Sequence, residues 1–148
     1  KIKIMNTQLA MKSGLLATAA MTALMLMAPM MGMPEMPIGK MLADFMNIPV
    51  ALGWAMHVMI GVGLAVGYLL FFRNKISAAP AVKGMLFGII PFLMAQFVVM
   101  PMMGMGVFTS AAGPMQMKMI MGSLMGHLVY GLVLGLTAEE KKITAMES

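Results

Sequence analysis

Apolar positions in this chain neither alternate nor keep to one helical face; they fill four unbroken, uncharged runs, residues 14–33, 48–72, 84–105 and 119–136. Charged residues crowd the stretches between. Each run is close to the roughly 20 residues that carry a helix across a ~30 Å hydrocarbon core. Membrane-barrel strands would alternate over about ten residues, whereas these runs are continuously rich in Ala, Leu, Met and Gly. The first run follows Lys1, Lys3 and Lys12 and so imitates a signal peptide, but it exceeds the roughly 7–15 apolar residues of a signal core; it is expected to be a retained span. The pattern predicts an all-α, integral membrane four-helix bundle built from two tandem helical hairpins, one membrane domain over residues 1–148.

Between the runs, basic residues are distributed unevenly. Lys1, Lys3, Lys12, Arg73, Lys75, Lys83, Lys141 and Lys142 lie on one side of the predicted topology, and only Lys40 and Lys118 on the other. By the positive-inside rule both termini are expected in the cytoplasm of a bacterial inner membrane. The net charge of +5 is then accounted for by topology and anionic lipid, with no nucleic acid needed as a partner. Glu139-Glu140-Lys141-Lys142 reads as a frayed, solubilising helix end.

The two halves share a plan, residues 12–72 against 83–137. Pro29-Met30-Met31-Gly32-Met33 at the end of the first span recurs letter for letter as Pro101-Met102-Met103-Gly104-Met105 at the end of the third. His57 and Gly61 in the second span correspond to His127 and Gly131 in the fourth. Because each unit holds two spans, the units would be parallel and related by a pseudo-twofold axis along the membrane normal. Small residues mark the expected packing stripes: Gly53, Gly61, Ala65 and Gly67 in span two, and Ser123, His127, Gly131 and Gly135 in span four. Pro29, Pro91 and Pro101 remove backbone donors inside apolar runs, and Pro29 and Pro101 are expected to bend the outer helix ends. Gln96 reads as an interhelix hydrogen-bonding residue, Tyr68 as a belt residue, and Trp54 as either a belt residue or a ring packed over His57.

Composition narrows the chemistry. The chain is 61% hydrophobic and 10% charged, against about 25% charged in soluble domains, which excludes a freely soluble enzyme. With no Cys, disulfides, thiolate metal sites and thiol catalysis are excluded too. No Ser-His-Asp group, H-E-x-x-H helix or phosphate loop is present, so a non-enzymatic protein is expected. Proton-driven transporters place acids in their spans; here Asp44 and Glu35 lie in the first outer loop, and the polar residues within the spans are Thr18, Thr22, Gln96, Ser123 and the two histidines.

What remains is 25 methionines and two histidines. Each histidine sits about eight residues, or ~12 Å, into its helix from the outer side, beneath the duplicated methionine blocks. Met25, Met27, Met56, Met59, Met119, Met121 and Met125 fall in or near the same layer. Thioether and imidazole donors select a soft ion such as Cu(I), with Met30, Met31, Met33, Met102, Met103 and Met105 collecting it and His57 and His127 binding it deeper. Two symmetric imidazoles are also a minimal axial pair for haem b, with Gly61 and Gly131 leaving room for the macrocycle, although no propionate-binding Arg lies on that side. A third reading makes the histidines interhelix hydrogen bonders and the methionines core filler.

In the first outer loop, Ile38 to Met46 reads as a short amphipathic helix with Met41, Leu42, Phe45 and Met46 on one side. The counterpart of the whole loop Gly32 to Pro49, Gly106 to Gln116, is shorter and turn-rich, which breaks the symmetry where a larger membrane complex, such as a respiratory oxidase using this chain as an accessory subunit, or a second copy would dock. At Gly53-Trp54-Ala55-Met56-His57, preceded by Pro29-Met-Met-Gly-Met33, the chain resembles an uncharacterised family of small four-helix bacterial inner-membrane proteins with a G-W-x-x-H element. The resemblance implies the fold and the membrane, and carries no activity.

Overall fold

The computed structural model describes residues 6–139, and among them the chain is helical with no strands. Helix α1 (Thr7–Met27) starts seven residues before the first apolar run, because Asn6 caps it by accepting from the Leu9 N–H at 3.0 Å. Helix α2 is Ile38–Met46, α3 is Val50–Gly67, α4 is Pro80–Met94 and α5 is Gln116–Thr137. Both α3 and α4 widen into π turns, Tyr68–Phe72 and Ala95–Val99, and α4 resumes over Met100–Met102. Four helical stretches, Thr7–Met31, Val50–Phe72, Pro80–Met102 and Val107–Thr137, are long and apolar enough to cross a membrane. The protein is an all-α bundle of multi-pass membrane type with a short fifth helix between spans one and two.

The duplicated methionine blocks have a local structural cause. Over Ala28–Met31 the chain tightens to a 3₁₀ turn, and Gly32 (φ +76°) ends it, with Gly32 N–H donating to Pro29 C=O and Met33 N–H to Ala28 C=O at 3.0 and 3.1 Å. At the second block Gly104 (φ +78°) does the same, with Gly104 N–H on Pro101 C=O and Met105 N–H on Met100 C=O at 3.0 and 2.9 Å. This is a Schellman cap, in which a glycine adopts the left-handed conformation that an L side chain resists. The block is a helix stop written twice.

Within each hairpin, glycine brings backbones together. A Cβ on Gly14 would meet Val62 and Ala65, and one on Gly61 would overlap the Thr18 hydroxyl, so α1 and α3 touch there. In the second hairpin, Gly84 of α4 lies on the Gly131 carbonyl and Gly88 on the His127 carbonyl, with Gly135 against Pro80 and Gly84. The packing stripe read in span four therefore holds. In span two it divides: Gly53 packs on Gly39 and Ala43 of α2, while Gly67 meets nothing within 4 Å. Helix α2 also departs from expectation, since it buries Gly39, Leu42 and Ala43 and leaves Phe45 and Met46 exposed. Trp54 fills the space above Gly39, which sets which face of α2 is buried.

The hairpins join asymmetrically. α1 packs along α5, but the pair that symmetry would make equivalent, α3 and α4, is held apart along its backbones. Side chains bridge these two helices at one end, where Phe87 makes edge-to-face contacts with Tyr68 and Phe72 at 5.2 and 5.3 Å. Tyr68 is thus fully buried and is not a belt residue. Arg73 donates to the Ala138 carbonyl at the C-terminal end of α5 (2.8 Å), and Lys83 pairs with Glu139 at 3.2 Å. At the opposite end Lys118 donates to the Gly32 carbonyl at 3.2 Å. The core of Ala10, Ala17, Ala65, Leu69, Phe87, Leu134 and Ala138 belongs to the Arg73 end. The other half of the bundle is open. Lys1, Lys3, Glu140, Lys141 and Lys142, which figured in the charge count, lie outside the described residues.

Candidate functional site

The splaying of α3 from α4 leaves a cavity of about 200 Å³, walled by α1, α3, α4 and α5 and roofed by Ile38 and Leu42 of α2. Both histidines line it. His57 is buried (8% exposed) and stands edge-on to Trp54 at 6.0 Å, so Trp54 packs over the imidazole. His127 is half-buried and edge-on to Phe92 at 6.0 Å.

Each ring is oriented by a hydrogen bond. His127 Nδ1–H donates to the Ser123 carbonyl at 2.7 Å; in the neutral ring this leaves the lone pair on Nε2. His57 Nε2 lies 3.1 Å from the Thr22 hydroxyl. When that hydroxyl accepts, Nε2 carries the proton and the lone pair sits on Nδ1. A metal-binding histidine is commonly held by a hydrogen bond through its other nitrogen in this way. Ser123 also accepts from Gln96 Nε2 at 3.1 Å, which makes Gln96 the expected link between α4 and α5. Tyr130 reaches across from α5 to donate to the Gly61 carbonyl of α3 at 2.6 Å, the polar tie that holds the cavity floor.

The methionines around the histidines are not the six in the duplicated blocks. Met21, Met25, Met36, Met94 and Met100 line the cavity. Met30 (87% exposed) and Met102 face outward, and Met31 and Met33 border a separate, smaller cavity. Met102, Met103 and Met105 line neither. Of the wider methionine layer, Met27, Met59 and Met121 are also exposed. Met36 and Met100 carried no sequence signal of their own, since neither shares a helical register with a histidine; α2 and the π turn of α4 bring them in.

The lining carries no carboxylate, and among the described residues no group of three or more His, Asp or Glu gathers as a metal cage. A ligand here meets two imidazoles, thioethers, hydroxyls and hydrocarbon. The class is therefore a helical, multi-pass membrane protein with an apolar cavity between its helices that is lined by two imidazoles. The chain belongs to a family of unknown function, DUF6789, whose model matches residues 4–145. Comparison with curated proteins and with solved structures gives no match.

Proposed function

We propose that this is a non-catalytic protein of the bacterial inner membrane that holds Cu(I) between His57 and His127 near the periplasmic face. The observation that carries the reading is convergence: the chain's two histidines, 70 residues apart in sequence, border one cavity together with five thioethers. Soft thioether and imidazole donors suit Cu(I). A site of neutral donors in a low-dielectric setting also favours a monovalent over a divalent ion, because uncompensated charge in hydrocarbon is costly. Haem b fits less well, since about 200 Å³ falls below the ~300–1,000 Å³ typical of small-molecule pockets and a macrocycle would force α3 and α4 further apart.

Competition with a Cu(I) chelator under reducing conditions tests the site. Wild-type protein is expected to retain one Cu(I) per chain, and His57→Ala and His127→Ala, each removing a ligand, are expected to weaken it by at least the roughly 10–100-fold that loss of an outer-shell partner costs. Equal retention by the two variants and wild type removes the assignment.

A further inference from the structure

Resting on the copper reading, we propose that Cu(I) reaches the histidine cavity through a second, smaller thioether cavity at the end of α1, so that the first Pro-Met-Met-Gly-Met block is a loading site and the second is not. The smaller cavity is about 30 Å³, with Met25, Met31, Met33, Met36, Met125 and Lys118 among its walls. That exceeds the ~10–15 Å³ that one water molecule needs, enough for an ion. Met31, 67% exposed, opens it to the outside.

Two of its methionines, Met25 and Met36, also line the histidine cavity, so the two spaces share a wall made of donors. Glycines of α5 make room for that wall. The Met36 sulfur lies 3.8 Å from where a Gly122 Cβ would stand, and Gly126 faces Met21 and Met25. An ion can then pass by ligand exchange, each Cu–S bond forming as another breaks, with no change of oxidation state. Lys118 sets the character of the outer position. Its ammonium on the wall repels a cation, which makes the site a transit point of low affinity instead of a store. The second block shares neither of these two cavities, since Met102, Met103 and Met105 border neither. Identical letters thus take different roles through the asymmetric joining of the hairpins.

The test is stopped-flow transfer of Cu(I) from its bicinchoninate complex to the full chain in nanodiscs. Met31→Leu/Met33→Leu, conservative in volume, is expected to load at least about tenfold more slowly and still to reach the wild-type final Cu(I) content. Met102→Leu/Met103→Leu is expected to load at the wild-type rate. Lys118→Met, which removes the ammonium and adds a thioether, should load faster. Wild-type kinetics in the first pair, or equal slowing in both pairs, overturns the route while leaving the histidine site standing. If the wild-type chain takes up no Cu(I), both readings fall together.

Discussion

Single glycines show how much a residue's meaning depends on its surroundings. Gly32 and Gly63 both have open space where a Cβ would go, yet only Gly32 has a positive φ, +76°. Gly32→Ala is therefore expected to cost about 1–2 kcal/mol from the left-handed conformation alone, and Gly63→Ala to be neutral or stabilising by about 0.5–1 kcal/mol. Thermal unfolding in detergent reads the pair, and equal shifts would contradict the cap. The sequence displays both letters and the repeated block around Gly32, but not the dihedral that separates them. The histidines were legible in the same partial way. That they face protein follows from their place beside Gly61 and Gly131; the His127 bond to the Ser123 carbonyl stays within its own helix, four residues back, whereas the Thr22 partner of His57 depends on which neighbouring helix that ring meets.

At the scale of elements, the spans were readable because hydrophobic length is a demand of the bilayer and needs no tertiary knowledge. Their starts were not, since Asn6 begins α1 in polar sequence well before the apolar run. A close backbone approach along α5 was foreseen from Gly131 and Gly135; that α4 is the partner comes from the structure, and it has a sharp consequence. A methyl on Gly84 would run into the Gly131 carbonyl and the Gly135 backbone, neither of which can rotate away. Gly84→Ala is expected to destabilise the second hairpin by about 1–3 kcal/mol, while Gly67→Ala, where nothing lies within 4 Å, is expected to have no such effect. Denaturant titration followed by helix content checks both. The buried face of α2 escaped the hydrophobic pattern, because the Trp54 ring needs Gly39 beneath it more than water needs to be kept from Phe45.

For the whole molecule, the decisive feature is one that a repeat conceals. A duplicated hairpin suggests equivalent contacts between halves, but α1 packs on α5 while α3 and α4 part, and the cavity with both histidines occupies the gap. The orientation proposed for the membrane rests on charge at the two ends: Arg73, Lys75 and Lys83 at one, Lys40 and Lys118 at the other. With no native Cys, introduced thiols report it cleanly. Ser77→Cys in intact cells should be shielded from a membrane-impermeant maleimide and Ser110→Cys labelled; the reverse pattern would invert the proposed topology. The central claim is that His57 and His127 hold one soft ion together, and X-ray absorption at the copper edge of the Cu(I)-loaded protein examines it most directly. The account predicts a Cu(I) signal with both imidazole nitrogen and thioether sulfur in its shell, abolished in His57→Ala/His127→Ala; an unchanged spectrum in that double variant would contradict it.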